Sequence, residues 1–223
     1  MTNKKLIVAS VAIFVGFTSS SCVIVKNSET KNDKKITKVI EISDFNSINN
    51  NFVADIIYKQ GPASLTISGS EYLISKTDIQ VKDSMLVIDG KVDKIKNHQE
   101  IDIVCSSPNL RSVIMNGMGD FKWDGGTADD ITMTMNGMGD IEWNDGRCNS
   151  LNMVINGMGD IDCKNISGKV LKGKISGHGD ITVSGSFASG SLDVEGMGDI
   201  NIKELNCPNL NTSVDGLGSI KRK

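Results

Sequence analysis

Five aspartates close a repeated Gly-x-Gly-Asp motif and are the residues of this chain best placed to do chemistry. They are Asp120, Asp140, Asp160, Asp180 and Asp199, spaced 20, 20, 20 and 19 residues apart. If each repeat forms one coil of a stack, the carboxylates form a column with neighbours about 4.8 Å apart. Such neighbours repel by about 1 kcal/mol in water and about 3.5 kcal/mol at an effective dielectric constant of 20. The column therefore requires compensation.

Two kinds of compensation suit this column of carboxylates. In the first, which we favour, each carboxylate accepts backbone N–H hydrogen bonds at its own glycine turn, as aspartate commonly does. In the second, the column binds a row of cations, and calcium is the candidate because it prefers carboxylate and carbonyl oxygens. The first interpretation requires no cofactor or metal, whereas the second predicts that calcium stabilises the fold.

Aspartates on a solenoid also suggest a catalytic alternative. Parallel β-helices include polysaccharide lyases and hydrolases, whose acidic clefts such a column could imitate. The chain has only two histidines, His98 and His178, and it contains no nucleophile motif or phosphate-binding loop. Gly-x-Gly-Asp is not a dinucleotide fingerprint here, because no helix follows it. We expect no catalytic residues and no enzyme, with a carbohydrate-active enzyme as the alternative.

Two further columns come from the same motif. The residue between the two glycines is Met118, Met138, Met158, His178, Met197 or Leu217. Facing outward, this column is an exposed apolar stripe of the kind that marks contact sites; facing inward, it is core, and flexible methionine suits either role. We favour the inward orientation. The preceding column, Asn116, Asn136 and Asn156, predicts a ladder of hydrogen-bonded side chains.

The glycines of the motif are expected to be structural. They allow a positive φ on both sides of a corner and let successive coils approach closely. The twelve positions are Gly117, Gly119, Gly137, Gly139, Gly157, Gly159, Gly177, Gly179, Gly196, Gly198, Gly216 and Gly218.

The segments around each motif read as strands with one buried face. Ile141-Glu142-Trp143 follows a motif and Ile131-Thr132-Met133-Thr134-Met135 precedes one, and both alternate apolar and polar residues. Two strands in 20 residues are too few for a propeller blade, which needs about 40 residues. They predict an all-β parallel solenoid with about 20 residues per coil. Residues 37–107 lack the motif and predict an N-terminal β cap for the repeats in 108–223.

The N-terminus carries an export signal. Lys4 and Lys5 precede the apolar run 6–17, which is too short to span a bilayer as a helix. The small residues 18–21 before Cys22 resemble a bacterial lipobox, which implies cleavage after residue 21 and acylation of Cys22. The alternative is an ordinary secretory signal that is cut near the serines. We expect residues 1–21 to be the signal peptide and 22–36 to be the acylated cysteine and a flexible tether.

The net charge limits the possible partners, and the residue after Cys22 indicates the location of the protein. Loss of Lys4 and Lys5 moves the net charge from −3 to −5, which gives no electrostatic case for nucleic-acid binding. Valine rather than aspartate follows Cys22, so the outer membrane is the expected location. The expected partner there is the lipid bilayer, through Cys22. The sequence leaves the oligomeric state open.

The other four cysteines are not expected to form disulfides. Cys148 and Cys207 occupy the same column three coils apart, or about 14 Å, whereas a disulfide requires α-carbons within about 7 Å. Cys105 and Cys163 lie at inward strand positions, where we expect them to act as small buried hydrophobes.

The domain resembles a bacterial family described as putative auto-transporter adhesin, head GIN domain. The matching segments are 45–48, 53–61 with its terminal Gln60-Gly61, 86–88, and Pro108-Asn109-Leu110 before the Gly-x-Gly units. This chain departs from the family pattern with methionine rather than serine between the glycines. The resemblance spans about residues 37–220 and implies a right-handed β-solenoid in an envelope lipoprotein.

The expected function is non-catalytic. We expect a lipid-anchored protein of the cell envelope that acts in adhesion, or that binds a glycan, a surface protein or another envelope component along a flat ladder face. The alternatives are the carbohydrate-active enzyme and a purely structural envelope protein.

Overall fold

A computed structural model describes residues 34–92 and 101–222, together with the backbone of Val23 and Ile24. The expected signal peptide, Cys22, His98 and residues 25–33 of the expected tether lie outside the described residues.

The described chain is almost entirely strand, with one short helix. In the N-terminal part the elements are β1 (Val23–Ile24), β2 (Lys35–Ile40), β3 (Ser47–Asn50), β4 (Asp55–Gln60), β5 (Ser64–Ser70), α1 (Glu71–Lys76), β6 (Thr77–Lys82), β7 (Met85–Gly90) and β8 (Ile101–Ser107). In the repeats they are β9 (Ser112–Met115), β10 (Phe121–Asp124), β11 (Asp130–Met135), β12 (Ile141–Asn144), β13 (Ser150–Ile155), β14 (Ile161–Ile175), β15 (Ile181–Val194), β16 (Asp199–Asn201), β17 (Leu205–Asn206), β18 (Asn209–Val214) and β19 (Ser219–Lys221).

The repeats stack as parallel ladders, which confirms the predicted solenoid of about 20 residues per coil. One ladder runs through β4, β10, β12, the start of β14 and of β15, β16 and β19. The other runs through β3, β9, β11, β13, the end of β14 and of β15, and β18. In both ladders equivalent residues are direct partners, as in Ile141↔Ile161 and Met135↔Ile155. The stack makes about six turns.

The core is the space between the ladders, filled by alternate residues of the strands in the stacked coils up to β16. Ile141 and Ile161 are fully buried and stack through successive coils. The indole rings of Trp123 and Trp143 lie parallel, with centroids 4.6 Å apart, and Tyr58 packs edge-on against Trp123 at 5.2 Å. These contacts join the N-terminal part to the repeats in one continuous core.

The predicted N-terminal cap extends both ladders. Strand β8 pairs parallel with β4, and β5 then pairs antiparallel with β8 and with β2. On the other ladder, β7 pairs parallel with β3 and antiparallel with β6. Helix α1 starts where the Ser70 side chain accepts the Leu73 N–H, and it buries Leu73 and Ile74. Strand β2 begins at Lys35, and β1 pairs with it, so both ends of the expected tether region contribute to strands.

A first coil of the motif lies inside the cap region, which corrects the expectation that residues 37–107 lack the repeat. Residues 51–55 read Asn-Phe-Val-Ala-Asp and occupy the motif position directly before 116–120. Val53 bridges Met118, and Ile56 pairs with Phe121, 65 residues later. The motif glycines face the preceding coil, and no earlier copy precedes this one, so larger residues fit. What this first copy shares with the later motifs in sequence is the spacing Asn-x-x-x-Asp-Ile, here Asn51, Asp55 and Ile56.

Candidate functional site: the motif corner

The Gly-x-Gly-Asp motifs stack into one edge of the solenoid, which we call the motif corner. It consists of residues 51–55, 116–120, 136–140, 156–160, 176–180, 195–199 and 215–219. All five aspartates, the central residues and the motif glycines named from the sequence lie in it, and β-bridges join its central residues from Val53 to Met197.

Both glycines of the motif keep the coils from clashing, and in four of the six motifs the second glycine also has a positive φ. A Cβ on Gly137 would lie 1.9 Å from the carbonyl oxygen of Gly117, and one on Gly139 would lie 2.2 Å from that of Gly119. The predicted close approach of successive coils is therefore confirmed. Gly139 has φ +124°, whereas Gly137 lies outside the positive-φ region. The expectation of a positive φ on both sides was wrong, because contact between backbones alone excludes a side chain at the first glycine.

Each aspartate of the column accepts a backbone N–H from the next coil. The Oδ1 atom of Asp120 accepts the N–H of Asp140 at 2.9 Å, and that of Asp140 accepts the N–H of Asp160 at 3.2 Å. The same contact recurs from Asp55 to Ser219, with the remaining distances between 2.7 and 2.9 Å. The predicted backbone partner is therefore correct in kind, but it belongs to the neighbouring coil rather than to the residue's own turn. The column thus joins coils together.

The electrostatic environment changes along the column. Partial burial raises the pKa of Asp140, as do the charges of Asp120 and Asp160, against the opposing effect of the Asp160 N–H. At the C-terminal end, hydrogen bonds from Lys221 and Ser219 lower the pKa of Asp199. The Nζ atom of Lys221 lies 2.5 Å from Asp199 Oδ2. The two aspartates therefore differ in environment, although both accept a backbone N–H from the next coil.

The asparagine column forms the predicted ladder. The Asn136 side-chain amide donates to Asn116 Oδ1 at 2.7 Å, and that of Asn156 donates to Asn136 Oδ1 at 2.9 Å. Asn116 donates in turn to Asn51 Oδ1 at 2.7 Å. The amides are exposed, and they fix the side chains on one flank of the corner.

The central column faces solvent, so the favoured inward orientation was wrong. The exposed fractions are 39% for Met118, 44% for Met138, 57% for Met158, 44% for Met197 and 82% for Leu217; His178 is also exposed. The flanking inward positions, Met135 and Ile141, are fully buried and fill the interior beside the corner. We call this outward column, Met118 to Leu217, the methionine stripe.

The flat faces beside the corner differ from the stripe because they mix charged and polar side chains with apolar ones such as the exposed Ile57 and Val104. On the first ladder, the outward residues Lys122 and Glu142 form an exposed ion pair at 3.6 Å. On the second ladder, the outward position of one coil is Asn152 and that of the next is Lys172. Exposed ion pairs of this kind contribute little to stability. The stripe is the feature in which apolar side chains recur outward coil after coil.

The cysteines behave as core or partly buried residues. Cys105 and Cys163 are buried, as predicted, and burial raises the pKa of the Cys105 thiol to about 12. Burial also raises the pKa of the half-buried Cys148 to about 11. Because the thiolate is the reactive form, these groups are poor nucleophiles at neutral pH.

Within the described ranges 34–92 and 101–222, no group of three or more His, Cys, Asp or Glu residues is arranged to bind a metal ion. The calcium interpretation of the aspartate column stays a prediction. In the same ranges, no helix is both long and apolar enough to cross a membrane.

Comparison with known proteins places this architecture in a family. The family described as "Putative auto-transporter adhesin, head GIN domain" matches residues 44–222. The chain belongs to this family. No curated protein matches. The family description names adhesins rather than enzymes, which suggests a non-catalytic binding function and a location at the cell surface or in the envelope.

Solved structures share the fold. A putative adhesin from Bacteroides fragilis is 24% identical, with 87% of this chain and 98% of that chain covered and a TM-score of 0.71. A putative adhesin from Parabacteroides distasonis is 18% identical, with 86% and 98% covered and a TM-score of 0.65. A putative lipid binding protein from the same species is 19% identical, with 85% and 96% covered and a TM-score of 0.61.

Proposed function

We propose that this head GIN domain protein is a non-catalytic, lipid-anchored binding module of the outer membrane that holds a polysaccharide along the motif corner. The observation that carries the proposal is the methionine stripe. Apolar side chains are exposed at one position in coil after coil, although that position could be polar without disturbing the core. Contiguous exposed apolar surface marks contact sites.

The neighbours of the stripe suit a polymer of sugars. On one side, two residues before the stripe, lie the amides of Asn116, Asn136 and Asn156, and the later coils have Ser176, Glu195 and Asp215 at this position. On the other side, two residues after the stripe, lie the carboxylates from Asp120 to Asp199. Amides both donate and accept hydrogen bonds, and carboxylates accept them, so together they match hydroxyl groups. The stripe itself can cover the apolar faces of sugar rings. Over the three coils from Met118 to Met158, a ligand with repeated units would meet an amide, a thioether and a carboxylate at about 4.8 Å intervals.

The aspartate column supports a non-catalytic role. In each coil one carboxylate oxygen is engaged by a backbone N–H of the next coil, so the carboxylates have a structural role in common. An acid–base pair for catalysis requires two groups whose environments separate their pKa values at a single position. The aspartates instead make the same contact in every coil, which fits a role in stacking the coils better than a role in catalysis.

Acylation at Cys22 would attach the capped end of the solenoid to the bilayer. Cys22 directly precedes β1, which pairs antiparallel with β2 in the cap, so the repeats would extend away from the membrane. Two or more acyl chains give stable anchoring, because each buried methylene contributes about 0.8 kcal/mol. We expect Cys22→Ser to release the protein from the membrane fraction and to abolish labelling by radioactive palmitate. Continued labelling of the serine variant would contradict the lipobox interpretation.

The test of binding is an array of glycans and matrix proteins, probed with the purified full-length protein in detergent, with calcium or with chelator. We expect a polysaccharide to bind the wild type and not a variant in which Met118, Met138, Met158 and Met197 are all serine. A variant with Lys172→Ser on the flat face is the control. A blank array would favour a purely structural envelope role, and turnover of a bound glycan would favour the enzyme. Binding of the same variants to lipid vesicles tests lipid as the ligand, because one protein of the same fold is described as a putative lipid binding protein.

A further inference from the structure

The methionine stripe contains one imidazole between two thioethers. His178 takes the place of methionine in the fourth complete coil of the motif, between Met158 and Met197. All three residues are direct β-bridge partners, Met158 with His178 and His178 with Met197. The side chains therefore leave the backbone from adjacent points of one column.

Backbone hydrogen bonds fix this register. The N–H of His178 donates to the Gly157 carbonyl at 2.9 Å, and the N–H of Met197 donates to the Gly177 carbonyl at 2.9 Å. Adjacent strands in such a ladder are about 4.8 Å apart. A thioether on a flexible three-bond side chain can span that distance, so both sulfur atoms can approach the same side of the imidazole ring.

The three side chains are available to a ligand. Met158 is the most exposed methionine of the stripe, and His178 is exposed as well. Among the described residues, the imidazole of His178 makes no hydrogen bond and no salt bridge that would occupy its nitrogens. An imidazole nitrogen and two thioether sulfurs therefore face solvent together.

We propose that Met158, His178 and Met197 form a binding site for a soft monovalent metal ion, Cu(I) or its analogue Ag(I). Thioether sulfur selects such ions over calcium, magnesium or manganese, which prefer oxygen ligands, and imidazole is a suitable third ligand for copper. The set would give one nitrogen and two sulfur ligands. The thioethers cannot be lost to disulfide formation, unlike the thiol ligands that are more common in reducing compartments.

The surrounding charge favours a cation. Asp160 and Asp180 lie two residues after Met158 and His178, and each uses Oδ1 for a backbone N–H of the next coil. Lys221, on the same flank, is paired with Asp199. Negative charge along a surface raises the local concentration of cations.

The chain provides its own matched control. Met118 and Met138 are bridge partners in the same stripe and have similar exposure to Met197, but no histidine lies beside them. They test whether two stacked thioethers are enough to bind the metal ion or whether the imidazole is required. The site does not depend on polysaccharide binding, so either proposal can fail without the other.

The experiment is a titration of the full chain with Ag(I) in chloride-free buffer, followed through the methyl signals of ¹³C-methyl methionine. The background carries Cys22→Ser, Cys148→Ser and Cys207→Ser, which removes the thiols outside the core. We expect the first equivalent to shift the signals of Met158 and Met197 and to leave those of Met118 and Met138 unchanged. Met158→Leu and Met197→Leu assign the signals and should each weaken binding.

The decisive variant is His178→Gln, because an amide is a poor ligand for these ions. We expect it to lower the affinity for Ag(I) at least about tenfold, whereas Met118→Leu leaves the affinity unchanged. All of these positions are exposed, so an unchanged melting temperature confirms that the variants fold. The proposal is overturned if the first equivalent binds elsewhere, if no Ag(I) binds, or if His178→Gln retains the wild-type affinity.

Discussion

The two ends of the solenoid are built from the same strand pattern but finish in opposite ways. At the N-terminal end, β2, β5, β6, β7 and β8 continue the ladders, and Leu65, Leu73 and Leu86 are fully buried. At the C-terminal end, Val194 is 1% exposed, while its partner Val214 in the last coil is 44% exposed. Nothing in the described chain pairs with the outer edges of β18 and β19.

From this difference we expect the position of a coil in the stack to determine how much it contributes to stability. A coil of a solenoid contacts only its neighbours, so its burial depends on having one on each side. Coils near the middle should open only with the whole domain, and the last coil should open locally at a smaller free energy. Equivalent substitutions in the two places therefore separate the effect of position from that of chemistry.

The largest effect is expected from a side chain at the first glycine of a central motif. Gly137→Val places atoms 1.9 Å from the Gly117 carbonyl oxygen, and both neighbouring coils hold that backbone in place. We expect a loss of about 4 kcal/mol or more in the free energy of unfolding, which belongs to the exceptional range for one substitution. Denaturant titration measures it.

The matched variant at the open end is Gly216→Val. Its Cβ would meet the Gly196 carbonyl oxygen at 2.2 Å, but the last coil can move away from its single neighbour. We expect a loss of about 1 kcal/mol. Equal losses in Gly137→Val and Gly216→Val would contradict the argument from position, and a melting temperature unchanged by Gly137→Val would exclude a tight corner.

A smaller but still large contrast is expected in the core. Trp143→Ala removes a fully buried ring that stacks on Trp123, which should lower the free energy of unfolding by about 3–5 kcal/mol. Val214→Ala removes a smaller, partly exposed side chain from the last coil and should change it by less than about 1 kcal/mol. Thermal and denaturant unfolding of both variants measure the contrast. Similar losses would mean that the last coil is covered in solution.

The smallest contrast lies in the aspartate column. The raised pKa of Asp140 means that its ionised form is disfavoured in the fold, so Asp140→Asn should stabilise slightly at pH 7, by less than about 0.5 kcal/mol. The amide oxygen still accepts the Asp160 N–H. This gain should shrink as the pH falls through the raised pKa of folded Asp140 and vanish below the unfolded-state pKa of about 3.9.

Asp199 should behave in the opposite way because its pKa is lowered by Lys221 and Ser219. Its stabilising contribution is present above the unfolded-state pKa of about 3.9 and is lost as the pH falls through the lower folded value. Asp199→Asn should therefore lower the melting temperature at pH 7. Melting temperatures of the wild type, Asp140→Asn and Asp199→Asn between pH 3 and 8 distinguish the effects of the two aspartates. If calcium raises the wild-type value and Asp140→Asn removes that rise, the column is a cation site.

The sequence predicted the features that depend on repetition. The 20-residue spacing and the alternation in segments such as 131–135 determine the coil length, the ladders and the asparagine column, because stacked equivalents must meet. The buried Cys105 and Cys163 followed from the same alternation.

The errors came from features that a single repeat does not determine. The first coil lacks the glycine signal, because Phe52 and Ala54 have no earlier copy of the motif to approach. Methionine suits core and surface equally, so the composition of the stripe did not give its direction. The Asp140 carboxylate could accept an N–H from its own turn or from the next coil with the same residues at the same spacing. Only the stacked structure distinguishes the two donors.

The measurement that tests the central claim most directly is a scan of the stripe, one coil at a time, against the array polysaccharide that binds most tightly. Met118→Ser, Met138→Ser, Met158→Ser and Met197→Ser are compared with Lys172→Ser on the flat face. If the stripe is the binding surface, each methionine variant should raise the Kd by a similar factor of about three to five, from the loss of apolar contact, and Lys172→Ser should leave it unchanged. Complete loss of binding from one variant, or no change in any of the four, would contradict a ligand held along several coils.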